Sequence, residues 1–209
     1  MAMASVSFIL LSLLPLCGTA VLAEENSVDE FPSFCGDYEC PKYQMLKRYN
    51  TFELRRYEAT RWVTTQLDTD MFGLGIMKSF KRLYNYINGQ NTEGVSIKMT
   101  VPVRAIVPLF DQSINATMGF FVPTAIANPP APTDSSLYLD SLPPTSFYVR
   151  SFSGYALKSD YEKASKALSE ELEDLGLAYD VNFGIAAGYN DPLTFFKRHN
   201  EVWFRALNQ

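Results

Sequence analysis

The sequence predicts an α+β domain made of two βαββ units related by pseudo-twofold symmetry. Two observations support this prediction. The segments 52–57 (FELRRY) and 147–152 (FYVRSF) share the pattern Phe-x-aliphatic-Arg-x-aromatic. After each segment the chain continues in the same order, with further strand-like residues, one helix and two more strand-like runs.

The first unit is assigned to residues 49–123. Strand residues continue from 52 to 67, where β-branched and aromatic side chains are frequent. A helix is expected at about 71–87, with Asp68, Thr69 and Asp70 as candidate N-caps and Asn88-Gly89 as its stop. Two strands then follow, at about 95–108 and 117–122.

The second unit is assigned to residues 145–207. Ser159 and Glu162 have capping-box spacing, and Gly176 is expected to end the helix that they open. Strands are expected at about 179–188 and 201–207. The predicted apolar side of this helix contains Tyr161, Ala164, Leu168, Leu172 and Leu175.

A proline-rich linker, residues 124–144, joins the two units. Proline removes backbone donors, so the linker should be extended and largely without regular hydrogen bonding. Residues 137–139 are the exception, since they can pair as an edge strand.

The N-terminal residues 1–23 contain no charged side chain and are typical of a signal peptide, with cleavage after Ala20 or Ala23. An uncleaved membrane anchor is the alternative, because the run is long enough to span a bilayer. Pro15 and the small residues near the end favour cleavage. We therefore expect a secreted, extracellular protein without stable membrane insertion.

Residues 24–48 are predicted to be an N-terminal tail with a local disulfide. After signal cleavage Cys35 and Cys40 remain as an even pair, which suits an oxidising compartment. Two cysteines without a nearby histidine make a poor zinc site. Asn115 begins the sequon 115–117, which should lie in an exposed hairpin loop and accept a glycan.

The composition and motifs argue against several classes of function. The formal net charge is −5 and the chain has no basic run, which disfavours nucleic acid and anionic membranes as partners. No G-x-S-x-G, H-E-x-x-H, C-x-x-C, P-loop or G-x-G-x-x-G motif occurs. The sequence thus predicts a binding protein without catalytic residues. A hydrolase or isomerase would instead require a deep pocket lined by a Glu and a Tyr.

The first helix carries an unusually wide apolar arc of roughly 140°. In angular order the arc contains Phe72, Leu83, Ile76, Ile87, Phe80, Tyr84 and Met77. The first members can cover a sheet, while Tyr84 and Met77 reach the rim. Beside this rim Gly73 leaves room and Lys81 supplies a positive charge. The rim suits a flat, amphipathic, acidic ligand. The alternatives are that all these residues belong to the core, or that the rim mediates a dimer.

Five segments together resemble the SOUL/heme-binding protein family. They are YNTFELRRYEATRWVTT (49–65), GVSIKMTVPV (94–103), NPPAPTDSSLYL (128–139), FYVRSFSGYALKSDY (147–161) and AGYNDPLTFFKRHNEVW (187–203). The resemblance implies that residues 49–207 form a distorted antiparallel β-barrel of two βαββ repeats, flanked by two helices. It also implies non-enzymatic binding of heme or a related tetrapyrrole in a shallow apolar site beside the first helix.

Carried over by position, the resemblance implies a ligand site at Met77, Phe80, Lys81, Tyr84 and Asn85. Members of the family have apolar residues where Phe80 and Tyr84 stand. They have basic residues, suited to heme propionates, where Met77 and Asn85 stand. In this chain Lys78 and Lys81 would have to supply those charges.

The sequence offers two candidates for an iron ligand. Some family members have a histidine, proposed as an iron ligand, where this chain has Arg56. Tyr84 and His199 remain, since phenolate and imidazole both bind ferric heme. For Tyr84 the sequence favours rim packing. For His199 it favours an exposed loop before the last strand. By strand alternation, its side chain should point to the same face as that of Glu201.

The leading interpretation is therefore a secreted binder of heme or a porphyrin, acting as a carrier or scavenger. The alternative is an extracellular interaction or signalling protein that acts through the proline-rich loop 123–144 or the N-terminal tail.

Overall fold

One curled antiparallel sheet and two helices account for most of the chain that can be described. The computed structural model describes residues 31–68, 74–109, 115–191 and 198–207. Outside these ranges lie the predicted signal peptide 1–23, the cap candidates Thr69 and Asp70, the arc residue Phe72, and Gly73 beside the rim.

The described residues form nine strands. They are β1 (Tyr43–Arg48), β2 (Glu53–Tyr57), β3 (Thr60–Gln66), β4 (Val103–Pro108), β5 (Thr117–Phe121), β6 (Leu137–Leu142), β7 (Thr145–Ser153), β8 (Phe183–Gly188) and β9 (His199–Arg205). The helices are α1 (Leu74–Ile87) and α2 (Lys158–Asp174). The sheet order is β1-β2-β7-β9-β8-β4-β5-β3-β6. The predicted α+β class is confirmed, and the curled sheet is consistent with a distorted barrel.

Each predicted unit contributes three adjacent strands in the same order. β3, β5 and β4 lie side by side, as do β7, β9 and β8, and the two sets meet where β4 pairs with β8. The βαββ topology therefore occurs twice, while the rotation that relates the two units stays a prediction. The two motif copies are not equivalent in this arrangement, because β2 pairs directly with β7 and β3 takes the place of β7 in the first unit.

Several predicted strand boundaries were wrong. Strand β1 lies inside the segment assigned to the tail, and the expected strand 52–67 is broken between Tyr57 and Thr60. The expected strand 95–108 begins only at Val103, because Pro102 has no N–H to donate to a ladder. The expected strand 179–188 begins at Phe183. The predicted edge strand in the linker is confirmed and longer than expected, as β6 pairs with β3.

The glycines predicted to end the helices were correct, whereas the predicted capping box at the start of α2 was not. Gly89 and Gly176 have φ of +100° and +64°, a conformation that suits glycine just after a helix. The capping box at Ser159 was wrong, since α2 begins at Lys158 and Asp160 accepts a 3.0 Å hydrogen bond from the Leu157 N–H. Neither described helix has the length and hydropathy needed to cross a bilayer.

The sheet curls around its inner face. Side chains from five different strands line the same small cavity, which requires those strands to converge: Tyr57, Trp62, Arg104, Phe147 and Trp203. Residues 31–42, here called the strap, pack against this inner face. The strap contains the predicted Cys35–Cys40 disulfide, which is confirmed. It is anchored at Glu39, whose carbonyl accepts from the Val101 N–H at 3.0 Å.

Both helices cover the outer face. From α1, Leu83, Tyr86 and Ile87 pack against strand residues Val63, Met118 and Phe120. From α2, Ala164, Leu168 and Leu172 pack against strand residues Leu54, Tyr148, Val202 and Phe204. Each helix thus completes a separate apolar core on its own half of the sheet.

Candidate ligand-binding site

The apolar arc of α1 runs from fully buried to exposed. Leu83 and Ile87 are 0% and 5% exposed, Phe80 is half-buried, and Tyr84 and Met77 are 48% and 62% exposed. Apart from Ile76, this is the gradient that helical spacing predicts. It excludes the alternative in which all these residues belong to the core.

Ile76, Met77, Phe80 and Tyr84 together form an apolar surface on one side of α1, here called the shelf. Ile76 is 50% exposed although its angular position predicts burial. The Phe80 ring packs edge-on against Phe120 at 5.1 Å and lies nearly parallel to the Tyr84 ring at 6.2 Å. The core therefore holds Phe80 in place, and Phe80 in turn supports the more exposed Tyr84.

The opposite side of α1 is polar and tied to β3. Arg82 donates to the Thr65 hydroxyl at 3.1 Å, to the Gln66 carbonyl at 2.7 Å and to the Asp68 carboxylate at 2.7 Å. These bonds fix the rotation of α1 about its axis, so the shelf faces away from β3. The hydrogen bond from Arg82 lowers the pKa of Asp68.

The two candidate lysines differ in position. Lys78 Nζ is 3.9 Å from Asp68, on the polar side of the helix. Lys81 is exposed and lies four residues after Met77 and three before Tyr84, which places it beside the shelf. No described carboxylate forms a salt bridge with Lys81. Asn85 is half-buried at the next turn.

The prediction that His199 occupies an exposed loop was wrong. His199 begins β9, and its side chain is only 20% exposed. The Phe34 ring of the strap stacks on the imidazole at 4.0 Å and 6°. Its predicted parity with Glu201 is confirmed, since Nε2 lies 2.7 Å from Glu201 Oε1. His199 therefore faces the inner core, with the sheet between it and α1.

Glu201 is the centre of a buried polar cluster on the inner face. Its side chain has no exposed surface, and both carboxylate oxygens are used. Its five partners are Arg55 at 2.9 Å, Ser151 at 3.3 Å, His199 at 2.7 Å, Tyr189 at 2.8 Å and Trp203 at 2.8 Å. A carboxylate saturated in this way is a structural anchor rather than a free acid or base.

The ionisation of the cluster follows from burial and charge. Burial by itself would raise the pKa of Glu201, but the hydrogen bond from His199 and the charge of Arg55 outweigh it and hold that pKa at about 2. Burial and the negative charge of Glu201 raise the pKa of Tyr189 well above its ordinary value. Glu201 is thus an anion and Tyr189 a neutral donor at physiological pH.

This Glu and Tyr pair does not lie in a deep pocket. The inner cavity has room for about one water molecule, and aromatic side chains fill the space around it. Within the described ranges, no three His, Cys, Asp or Glu side chains are grouped to hold a metal ion. The geometry that would favour a hydrolase or isomerase was not found among these residues.

The sequence carries one sign of this cluster. Arg55 is the arginine of the FELRRY motif, and Glu201 alternates with Trp203 on one face of a strand. A charged residue in such a buried position needs a partner of opposite charge.

Asn115 is exposed just before β5, where its sequon was expected to be accessible.

Comparison with solved structures shows how widely the fold occurs. The C-terminal domain of EcmrR aligns with a TM-score of 0.56 at 11% identity, over 79% of this chain and 98% of that one. A hydrolase from Listeria innocua aligns with a TM-score of 0.51 at 12% identity, over 78% of this chain and 94% of that one. At these identities the likeness shows the fold alone.

Sequence relatives are more specific. Human heme-binding protein 2 is 29% identical over 165 residues, which cover 76% of this chain and 80% of the relative. Mouse heme-binding protein 1 is 29% identical over 179 residues, covering 82% and 94% respectively. The family model described as SOUL heme-binding protein matches residues 38–205, which include every described strand and both helices. The chain belongs to the SOUL heme-binding protein family.

Proposed function

We propose that this protein binds heme or a related tetrapyrrole on the shelf of α1, without catalysing a reaction. The observation that carries the proposal is the exposure of Met77 and Tyr84 beside a core-supported Phe80, in a member of this family. Exposed aromatic and thioether groups offer apolar contact to a planar ring system.

The filled interior also supports a site on the outer face. The inner cavity has room for about one water molecule, far too little for a macrocycle. A tetrapyrrole could enter the inner face only by displacing the strap and the aromatic side chains beneath it.

Lys81 is the better candidate to pair with a propionate. The residue lies at the rim of the shelf, whereas Lys78 is on the side of the helix that faces Asp68. An exposed pair of this kind contributes about 1 kcal/mol or less, so the apolar contacts should dominate affinity.

Tyr84 is the only one of the two sequence candidates that can reach iron on the shelf. His199 faces the inner core and is held by Glu201 and Phe34. Binding should therefore be insensitive to the imidazole, whether or not the Tyr84 phenolate coordinates the metal.

The test is a hemin titration followed in the Soret region. Wild-type protein should saturate at one equivalent, and Met77→Asp should weaken binding by about tenfold or more, since burying a Met side chain contributes about 1.5–3 kcal/mol. Tyr84→Ala should weaken it similarly. Leu175→Asp is the matched control, because Leu175 is a 55% exposed apolar residue that directly follows α2, away from the shelf. Equal losses in both aspartate variants, or a linear response of the wild type, would refute the proposal.

We propose further that the protein is exported and acts outside the cell as a carrier or scavenger. The Cys35–Cys40 disulfide and the exposed Asn115 sequon support this proposal. A fusion of residues 1–30 to a reporter should direct that reporter to the medium of secreting cells. Retention of the reporter would count against export.

A further inference from the structure

We infer that the ligand-binding site is a trough between α1 and α2, with the outer face of β4 and β8 as its floor. A planar macrocycle enters this trough edge first. This inference rests on the proposed function, because it extends the shelf into a site with a floor and a second wall. Its additional observations concern the sheet and α2.

The sheet order places this strip of the outer face between the two described helices, and neither of them lies above it. α1 lies over β3 and β5, and α2 lies over β7 and β9, so β8 and β4 run between them. Four strand spacings separate the two helix positions, about 19 Å at about 4.8 Å per strand. Directly packed helices have axes only about 8–10 Å apart. After subtracting a helix diameter of about 10–12 Å, a gap of about 8 Å remains.

The floor of the gap is apolar and made of small side chains. Antiparallel register places Val103 beside Gly188 and Ala105 beside Ala186. All four residues are partly exposed, whereas their inward-facing neighbours Arg104 and Ala187 are buried. Residues of this size allow a ligand edge to approach the strand backbone closely.

The shelf and the floor are continuous. Val103 pairs with Phe120 on its other side, and Phe120 contacts the Phe80 ring at 5.1 Å. One row across the sheet thus runs from Phe80 through Phe120 and Val103 to Gly188. A ligand that rests on the shelf would meet this floor with its inner edge.

Tyr161 forms the second wall. This α2 residue reaches over β8, since its Oη lies 3.5 Å from the position that a Cβ on Gly188 would occupy. The phenol is 3.4 Å from Asn200 Oδ1, and its ring packs edge-on against Phe152 at 5.2 Å. Burial raises the pKa of Tyr161 to about 12, so it stays a neutral, mostly apolar surface. The trough therefore has aromatic groups on both sides.

The shape selects for a class of ligand. A porphyrin macrocycle is wider than a gap of about 8 Å but far thinner, so it fits edge-on with its faces toward the walls. A linear tetrapyrrole, which coils into a helical shape, is thicker and should fit less well. Lys81, at the outer rim of the trough, would pair with the carboxylates on the edge of the macrocycle that stays exposed to solvent.

The test measures hemin and biliverdin affinity for floor variants of the full mature chain. Ala105→Leu and Ala186→Leu should each weaken hemin binding by about tenfold or more, because the added isobutyl group occupies the trough. Ala105→Val and Ala186→Val are the milder changes for use if a leucine variant melts below wild type. Ala59→Leu is the matched control, since Ala59 is exposed in the turn between β2 and β3. Wild type should bind hemin more tightly than biliverdin.

The outcomes separate this inference from the proposed function. If Tyr84→Ala weakens hemin binding but folded floor variants bind like wild type, the trough is wrong and the shelf stands. If biliverdin binds as tightly as hemin, the edge-on planar fit is wrong. If wild type shows no saturable hemin binding, the inference and the proposed function both fall.

Discussion

His199 Nε2 lies 2.7 Å from Glu201 Oε1, and this contact joins the only histidine of the chain to a fully buried carboxylate. The same oxygen accepts from Arg55 at 2.9 Å. The cluster ties β9 to β2, and through Phe34 it also holds the strap. It is on the opposite face of the sheet from the proposed ligand site, so stability and binding should respond to different substitutions.

Glu201→Ala should lower the free energy of unfolding by about 3–5 kcal/mol, because it breaks the buried ion pair with Arg55 and removes the shared acceptor of Tyr189 and Trp203. Arg55 still pairs with Glu53 at 2.8 Å, so the loss reflects the whole cluster around Glu201. Chemical denaturation measures this change. Glu162→Ala is the control, since that carboxylate is 63% exposed and forms a salt bridge with the 91% exposed Lys158 at 3.7 Å. A loss below about 1 kcal/mol in Glu201→Ala would contradict the anchoring role.

Acid should weaken the fold through Glu201. The pKa of Glu201 is held at about 2 in the folded state, below the ordinary value of 4.5. A depressed pKa contributes stability above about pH 4.5 that is lost as the pH falls toward 2. Melting temperatures measured between those limits should fall steeply in wild type and less steeply in Glu201→Gln. Parallel curves for the two proteins would argue against this assignment.

Loss of the disulfide should loosen the strap over His199. Cys35→Ser combined with Cys40→Ser should lower the free energy of unfolding by about 2 kcal/mol, the value expected for so short a loop. The single histidine then gives a specific readout, because an acylating reagent should modify it faster once Phe34 no longer covers the ring. Phe34→Ala should accelerate the same reaction with the disulfide intact. Unchanged rates in both variants would show that the strap does not shield His199.

Asn115 should carry a glycan when the full chain is expressed in secreting eukaryotic cells. The residue is exposed next to Thr117, the first residue of β5. Glycosidase treatment should increase the gel mobility of wild type but not of Asn115→Gln. Asn182→Gln, which lies outside any sequon, should behave like wild type. Absence of the shift in a secreted wild-type protein would remove this site.

Local patterns predicted the features that depend on short stretches of chain. Except at Ile76, the spacing of α1 predicted the order of exposure from Leu83 to Met77. Strand alternation predicted the shared face of His199 and Glu201. The Cys35–Cys40 pairing followed from six residues. Each of these depends on geometry within one element or loop.

Features that depend on distant pairing were missed. Strand β1 exists because Tyr43 pairs with Tyr57, and no local pattern marks that partner. His199 is shielded by Phe34 across the fold, and Glu201 meets Arg55 at a sequence separation of 146. The trough is likewise invisible in the sequence, because β4 and β8 become neighbours only in the assembled sheet.

Paramagnetic broadening of amide signals by ferric hemin would locate the ligand most directly. The account predicts selective broadening at Met77 to Tyr84 on α1 and at Ala105 and Ala186 on the floor, with β1 and β2 unaffected. A metal-free protoporphyrin control separates the paramagnetic effect from simple exchange. Broadening centred on the strap and the inner cluster around Glu201 would place the ligand on the wrong face of the sheet and contradict the proposed site.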